Sequence, residues 1–405
     1  MTPRVFPRPC ASALGALVLG AVLTPLHAAE GDVAKIGVLL GFTGPVESLT
    51  PPMAAAAELA FAEASESGRL LDGATIEAVR GDSTCTDAGA ATAAAERLVT
   101  AEKVVAILGA ACSGVTIAVV NGVAVPNGVP MISPSATSPA LATIEDDGLF
   151  SRLVPSDGRQ GEVLADIVAE RGVENVALTY TNNDYGKGLA DAFTTAYEAM
   201  GGEVAITAAH EDGKGDYSAE VAALAASGAD TLVVLGYVDQ GGKGIVQAAV
   251  DADAFDGFFG GDGMVGDSII EALGEDIEGF VTTLPGGESD GAARFAEVAA
   301  AAGIESSGVF IPESYDAAAL LALALQKAGR IDRAALAAAI ADVADAPGEP
   351  ILPGEIARGL EILAGGGEVD YVGATDVELD AAGESAGSYK EQEIRDGKYV
   401  VVGYR

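Results

Sequence analysis

Near-continuous apolar runs alternate with alanine-rich stretches along most of this chain, and this pattern limits the folds open to it. VAKIGVLL at residues 33–40 and TLVVL at residues 231–235 are typical apolar runs. Strands of this kind are buried on both faces, as in parallel sheets. Strands separated by helices predict βαβ units. We therefore expect an α/β protein.

The strand–helix pattern runs through the chain twice. Predicted strands lie at residues 33–40, 74–79, 104–108 and 130–133, and again at 176–181, 204–208, 231–235, 255–259 and 280–284. Predicted helices include 52–64, 90–100, 161–170, 188–200, 218–226, 244–250, 292–302, 313–328, 333–343 and 354–363. So many parallel strands exceed one ordinary sheet, so two α/β lobes are expected. Residues 391–403 predict a final hairpin that turns at Asp396-Gly397.

The first 29 residues have the composition of a secretory signal peptide. Arg4 and Arg8 precede an apolar run at residues 11–23, and small residues follow at Ala28 and Ala29. The run is too short to span a bilayer. Cys10 precedes it and so cannot be a lipid-modified cysteine at the cleavage point. We expect an exported protein without direct membrane insertion.

Acidic residues outnumber basic ones, 60 to 22, which gives a net charge of −38. Such a chain is repelled by nucleic acid and by anionic membrane surfaces. The excess acid indicates a solvated surface suited to a salty medium, or an acid-lined site for a cationic ligand. His210 is the only histidine after the leader. This argues against a Ser-His-Asp triad and against a histidine-rich metal site.

Two cysteines, Cys85 and Cys112, follow the leader. An oxidising compartment and an even count favour a disulfide, with two free thiols as the alternative.

The stretch GGDGMVGD at residues 260–267 contains G-x-G-x-x-G between a predicted strand and a helix-like run. That context is typical of a dinucleotide-binding turn. However, the next predicted strand ends without the acid that would bind a ribose, and Asp262 would face the pyrophosphate. The alternatives are a plain structural loop, or a loop that presents the Asp262 carboxylate to a small cation such as an ammonium group.

Two small-residue stretches follow predicted strands in the first half. In GAACSGVT, residues 109–116, Ser113 occupies a predicted helix cap, and the helix N-terminus there attracts anions. In MISPSATSP, residues 131–139, Ser135 and Thr137 lie at a strand end, where open α/β sheets bind ligands. A simple cap and an ordinary Ser/Pro turn are the structural alternatives.

Two tyrosines occupy corresponding places in the second half. Tyr185 lies in NNDYGKG after one predicted strand, and Tyr237 follows another. Aromatic rings at loop tips can cover a cationic or apolar ligand. The alternative is that each is a packed surface tyrosine.

Together these stretches resemble the periplasmic branched-chain amino-acid-binding proteins, the solute receptors of ABC importers. The resemblance rests on KIGVLLGFTGPV, LGAACSG, PMISPSATSP, NDYGKGLADAF, LVVLGY and GFFGGDG, in that order. It implies the type I periplasmic binding protein fold, with two Rossmann-like lobes joined by a three-segment hinge. It also implies the following division: signal peptide, residues 1–29; first lobe, 30–151 and 285–386; second lobe, 152–284 and 387–405.

The resemblance also implies a ligand site between the lobes. A ligand carboxylate would meet Ser113 and Thr137, and an ammonium group would meet the Ser135 backbone, Thr137 and Asp262. Ala136 belongs to the same ligand-binding stretch.

The opposite lobe would contribute Tyr185 and Tyr237, and the disulfide would join Cys85 to Cys112. The implied partner is an ABC membrane permease, in the periplasm. The resemblance implies no cofactor, no metal and no catalytic step.

The chain departs from the family pattern at two positions. The acid is Asp262 where a glutamate is common, and Leu49 stands where an aromatic residue is common. Aromatic acids or amides therefore remain alternative ligands. A ligand-sensing receptor component is the alternative among binding proteins, and an exported nicotinamide-dependent oxidoreductase is the alternative from another class.

Overall fold

The computed structural model describes residues 1–2 and 32–405. Apart from residues 1–2, the predicted signal peptide, including Cys10, lies outside the described residues. Residues 32–405 form one compact unit. Its strands are β1 Val33–Leu40, β2 Thr75–Asp82, β3 Ala106–Gly109, β4 Met131–Ser133, β5 Phe150–Arg152, β6 Asn175–Thr181, β7 Glu203–His210, β8 Thr231–Leu235, β9 Gly257–Gly260, β10 Val281–Pro285, β11 Glu349–Ile351, β12 Val369–Tyr371, β13 Tyr389–Arg395 and β14 Lys398–Tyr404.

The helices agree with the predicted alternation. They are α1 Thr50–Glu66, α2 Ala88–Thr100, α3 Ser113–Val119, α4 Val125–Asn127, α5 Asp157–Glu170, α6 Asp184–Ala199, α7 Ser218–Ala225, α8 Gly241–Asp251, α9 Asp267–Leu273, α10 Asp290–Ala302, α11 Ile311–Ala328, α12 Arg333–Ala344 and α13 Ile356–Ala364. A π-helical turn, Val120–Ala124, joins α3 to α4. None of the described helices is long and apolar enough to cross a membrane.

The first half of the chain forms a five-stranded sheet in the order β2-β1-β3-β4-β5. All its neighbouring strands are parallel. β3 and β4 are buried at every position, as is typical of strands inside a parallel sheet. β5 was not predicted, because its three residues, Phe-Ser-Arg, carry no strand periodicity.

The second half forms a seven-stranded sheet in the order β14-β13-β10-β9-β8-β6-β7. Strands β6 to β10 are parallel, and β13–β14 adds an antiparallel hairpin at one edge. The predicted turn is confirmed, since Asp396 and Gly397 both have positive φ, 51° and 67°. The α/β prediction is therefore confirmed.

Between β10 and β13 the chain returns to the five-stranded sheet. α11 is buried along most of its length and packs against α1, β3 and β4. The chain thus passes between the two sheets three times: after β5, after β10 and before β13.

The region after α12 contains a small third sheet that the sequence did not predict. β11 and β12 pair in parallel, with α13 between them. α13 packs against α11 and α1, so this unit thickens the side of the molecule that carries the five-stranded sheet.

Candidate ligand-binding site

A cavity lies between the carboxyl ends of the strands of both sheets. Ligands of open α/β proteins bind at this end of the strands. The five-stranded side contributes Ser113 and Ser135, and the seven-stranded side contributes Tyr185, Tyr237 and Asp262. The structure therefore places five of the seven predicted ligand-binding residues around one cavity.

The loop before α3 is fixed by a disulfide. Cys85, just after β2, is bonded to Cys112, just after β3, as predicted. Cys112 is the N-cap of α3 and makes no side-chain capping bond. The prediction that Ser113 is the cap was wrong by one residue, because Ser113 is already the first helical residue.

The Ser113 hydroxyl joins the two loops of the five-stranded side. Its Oγ accepts hydrogen bonds from the backbone N–H groups of Thr137 and Ser138, both at 3.1 Å. Among the described residues, nothing accepts its own proton, so this hydroxyl retains one donor for the cavity.

The Ser133–Ser138 loop is held by further bonds of this kind. Ser135 Oγ donates to the Ala111 carbonyl at 2.9 Å, and Ala136 N–H donates to Ser133 Oγ at 3.0 Å. Ala136 and Thr137 are buried beside the cavity and are not part of its described wall. Thr137 Oγ1 is buried and has no hydrogen-bond partner.

On the seven-stranded side, Asp262 is held by a tyrosine from another loop. Tyr185 Oη donates to Asp262 Oδ1 at 2.9 Å and accepts from Gly263 N–H at 3.1 Å. A Cβ on Gly263 would lie 2.8 Å from Tyr185 Oη and 2.5 Å from the Gly236 carbonyl oxygen. The glycine at position 263 thus lets Tyr185 approach the backbone of this loop.

Tyr185 and Tyr237 lie in the interior and not on the surface. Their rings stack with centroids 5.2 Å apart, and both residues are at least 96% buried. Asn183, the N-cap of α6, donates from Nδ2 to Tyr237 Oη at 3.3 Å. The pair forms a flat aromatic face beside the Asp262 carboxylate.

A second acid, Asp157, lies close to Asp262, and sequence reasoning missed it. Asp157 is the first residue of α5 and is fully buried, and neither carboxylate oxygen has a hydrogen-bond partner. Its backbone N–H donates to the Thr137 carbonyl at 2.9 Å. In the sequence it follows the N-cap Ser156 and is indistinguishable from an ordinary acid in a first helical turn.

Burial disfavours ionisation of both acids, of which Asp262 lines the cavity and Asp157 does not. Burial raises the pKa of Asp262 to about 6. Burial, and then the charge of Asp262, raise the pKa of Asp157 well above its ordinary value. Neither acid forms an ion pair among the described residues, although the nearby charge of Arg152 opposes the rise in the Asp157 pKa. A cation placed here would favour both ionised forms.

The rest of the cavity wall is apolar. It consists mainly of Val46, Leu49, Met53, Val309 and Phe310. The sequence pointed to Leu49 alone, because Val309 and Phe310 come from the segment before α11, far along the chain. Phe310 has φ 55° at the N-cap of α11. This pocket suits an aliphatic or small apolar group.

Two further features of the described residues concern metal binding and histidine chemistry. They contain no cluster of three or more His, Cys, Asp or Glu side chains that could hold a metal ion. His210 is buried, and burial lowers its pKa to about 4. Its Nδ1 lies 2.9 Å from Thr179 Oγ1, which is a structural contact.

Two α/β sheets that enclose a buried cavity with polar and apolar ends define a protein that captures a small solute. The family model for periplasmic binding proteins matches residues 33–359. The chain belongs to this family.

Curated relatives match most of the chain. The leucine-, isoleucine-, valine-, threonine- and alanine-binding protein of Pseudomonas aeruginosa is 29% identical over 320 residues, covering 78% of this chain and 83% of that protein. A chemotactic signal transduction system substrate-binding protein of Halobacterium salinarum is 26% identical over 377 residues, covering 90% and 88%.

Solved structures show the same fold. A branched-chain amino acid transporter substrate-binding protein from Streptococcus pneumoniae, in complex with isoleucine, has a TM-score of 0.76 at 25% identity and covers 92% of this chain and 99% of its own. A solute-binding protein from R. palustris, in complex with 4-hydroxybenzoate, has a TM-score of 0.73 at 20% identity, covering 92% and 97%. The type I periplasmic binding protein fold is therefore confirmed.

Proposed function

We propose that this protein is an extracytoplasmic solute-binding protein that captures a small amino acid with an apolar side chain, aliphatic or branched-chain in the first place. The observation that carries the proposal is the Asp262 carboxylate, buried on the wall of a cavity whose other end is apolar. The names of the curated relatives agree with this ligand class.

The acids supply the ammonium site. Asp262 and Asp157 are buried without a cation, and Thr137 Oγ1 nearby has no partner. A ligand ammonium has three donors and one charge, which match these acceptors. The stacked Tyr185 and Tyr237 add an aromatic surface of the kind that attracts cations.

The five-stranded side supplies the carboxylate site. The free proton of the Ser113 hydroxyl and the unbonded N–H groups at the start of α3 are donors suited to an anion. Ser135 completes this side, while Ala136 contributes through the backbone of the loop.

The apolar pocket supplies the side-chain site. Leu49 in place of an aromatic residue leaves a flexible aliphatic wall beside Met53 and Phe310. Such a wall accepts aliphatic chains of several lengths, since each buried methylene contributes only about 0.8 kcal/mol.

The three chain crossings form the hinge of two lobes in this proposal. The first lobe spans residues 30–151 and 285–386, and the second spans 152–284 and 387–405. Across the cleft, Ser48 N–H donates to Asp239 Oδ2 at 2.8 Å, and Ser138 Oγ donates to the Asp184 carbonyl at 2.9 Å. These bonds support a closed arrangement, which bound ligand would favour over an open one.

Export and delivery complete the proposed function. Residues 1–29 would direct the chain to the periplasm, where the closed form would deliver its ligand to an ABC membrane permease. The protein would perform no catalytic step and need no cofactor.

A panel of ligands that differ by one group tests the proposal. Calorimetry and thermal unfolding would compare L-leucine, L-isoleucine and L-alanine with 4-methylpentanoate, which lacks the ammonium, and with 3-methylbutylamine, which lacks the carboxylate. We expect the amino acids to bind and to raise the melting temperature, as RT ln(1 + [L]/Kd) requires. Binding of 4-methylpentanoate or 4-hydroxybenzoate in preference to all amino acids would overturn the proposal.

A role in chemotactic sensing is a second candidate. It is favoured by the match to the Halobacterium salinarum protein over 90% of this chain. Both candidates use the same ligand site, so they are separated by whether the loaded protein associates with a permease or with a membrane signal transducer.

A further inference from the structure

Arg152 is a wholly buried arginine at the end of β5, where the chain first leaves the five-stranded sheet. Arginines are almost never fully buried unless they are paired, because burying a guanidinium in a dry interior costs several kcal/mol. Its partners therefore indicate what it is for.

The guanidinium binds two carbonyl groups of the ligand loop. Nη1 donates to the Ala136 carbonyl at 3.2 Å and to the Ser138 carbonyl at 2.9 Å. These carbonyls lie on either side of Thr137, whose own N–H is held by Ser113. The backbone on both sides of Thr137 is thus fixed.

The other edge of the guanidinium binds the third chain crossing. Nε donates to Glu384 Oε2 at 2.9 Å, and Nη2 binds the same oxygen. The Arg152 N–H donates to the Gly383 carbonyl at 3.0 Å. A Cβ on Gly383 would lie 2.6 Å from the Phe150 carbonyl oxygen, so this segment packs closely on β5.

We propose that Arg152 is a positioning residue that joins the ligand loop, Ser133–Ser138, to the first and third chain crossings. This inference rests on the proposed function. Arg152 acts through Thr137, and it makes the geometry of the ligand loop dependent on the arrangement of the hinge.

The contacts require the shape of a guanidinium as well as its charge. One planar group reaches two carbonyls with one edge and a carboxylate with another, which a lysine ammonium cannot do. Arg152→Lys keeps the positive charge near Asp157 and loses the planar guanidinium that contacts both carbonyls and Glu384. Glu384→Gln keeps an acceptor for the guanidinium and loses the negative charge, whereas Glu384→Ala removes the tether.

Arg333 provides a matched control. Its guanidinium also donates to backbone carbonyls, those of Val99 and Val104, between 2.8 and 3.1 Å. It lies on α12 and does not line the cavity. Arg333→Lys therefore measures how the loss of guanidinium hydrogen bonds to backbone carbonyls affects ligand affinity at a site that does not contact the ligand loop.

The experiment has two measurements. Calorimetry with L-leucine should show roughly 10-fold weaker binding for Arg152→Lys and Glu384→Ala, with Arg333→Lys close to wild type. Amide hydrogen exchange of the ligand-free protein should show faster exchange at Thr137 and Ser138 in the same two weakened variants. Glu384 is partly exposed, so its variants remain informative if Arg152→Lys does not fold.

Two results would overturn the inference. Arg152→Lys with wild-type affinity would show that charge alone matters at this position. Unchanged exchange at Thr137 and Ser138 would show that the guanidinium does not hold the loop. If wild-type protein does not bind L-leucine, the proposed ligand class fails, while the exchange measurement still tests Arg152.

Discussion

The two walls of the cavity differ in their polar groups: one carries neutral hydroxyls and the other carries a buried acid. On the five-stranded side, neutral hydroxyls bind neighbouring backbone groups, as Ser113, Ser133 and Ser135 do. On the seven-stranded side, the Asp262 carboxylate lies on the cavity wall, and Asp157 is buried nearby without lining the cavity; neither forms an ion pair among the described residues. The hydroxyl wall is positioned by its own hydrogen bonds, whereas the acidic wall holds carboxyl groups whose ionised forms burial disfavours.

This difference explains how a strongly acidic protein can select an amino acid by its ammonium group. A buried carboxylate without a partner destabilises the fold, and protonation reduces that cost. A ligand ammonium removes the same cost by pairing with the carboxylate. The buried carboxylates therefore lower the stability of the ligand-free protein and raise its affinity for a cation. The hydroxyl groups of the five-stranded side orient the ligand.

The largest expected effect comes from removing the charge on the cavity wall. Asp262→Asn should weaken L-leucine binding roughly 100-fold, because a charge-assisted hydrogen bond contributes about 1.5–3 kcal/mol. Calorimetry gives the affinity. Binding of 4-methylpentanoate, which has no ammonium, should change little, so the ratio of the two affinities is the sharper measure.

Asp316→Asn is the control for this change. Asp316 is also buried, and burial raises its pKa to about 6, but it binds Tyr371 and Thr375 away from the cavity. Its substitution should alter stability and leave affinity unchanged. Equal losses of affinity in both variants would mean that Asp262 acts on the fold and not on the ligand.

Substitution of Asp157 should change affinity for the ligand and stability of the ligand-free protein in opposite directions. Asp157→Asn should weaken L-leucine binding roughly 20-fold and raise the melting temperature of the ligand-free protein by about 2 °C. The sign follows from its raised pKa: the stability contributed by a protonated Asp157 is present at low pH and lost as pH rises through that pKa. Thermal unfolding with and without ligand measures both effects, and a lower melting temperature without ligand contradicts the account.

The pH dependence of binding should follow the same acids. Ligand pairing needs ionised Asp262, whose pKa burial raises to about 6. Affinity for L-leucine should therefore fall about 10-fold between pH 7 and pH 5, and binding at neutral pH should release protons from the acid pair. Calorimetry in buffers of different ionisation enthalpy counts those protons.

The control for this pH series is Asp262→Asn. Burial also raises the pKa of Glu313 to about 7, so Glu313 titrates in the same window. The variant retains Glu313 and should lose most of the pH dependence. A series that keeps its slope in Asp262→Asn would assign the effect to another group.

The sequence was most informative where apolar residues decide the structure. β1 and β8 were predicted with their observed ends, because unbroken β-branched and leucine-rich runs leave no other buried arrangement. Helices α5, α6 and α8 were predicted three or four residues too late. Their first turns contain glycine and polar residues, which carry no helical periodicity.

The same weakness hid part of the site. Asp157 lies in the first turn of α5, where an acid is common for reasons of capping and the helix dipole. Its burial arises from tertiary packing against the Thr137 loop, and Phe310 reaches the cavity only because α11 returns to the first sheet. By contrast, Ser113, Tyr185 and Asp262 directly follow predicted strands, and strand ends converge in this fold.

The smallest expected effect concerns Tyr237, which lines the cavity beside Asp262. Tyr237→Phe loses the 3.3 Å hydrogen bond from Asn183 and keeps the ring that stacks on Tyr185. If the aromatic face is what the ligand meets, affinity for L-leucine should fall less than about 3-fold, whereas Tyr237→Leu should cost roughly 5-fold through loss of the cation–π contact. Calorimetry on both variants separates ring from hydroxyl. A larger loss in Tyr237→Phe than in Tyr237→Leu would assign Tyr237 to the hydrogen-bonded network, and the acidic wall would then extend to Asn183.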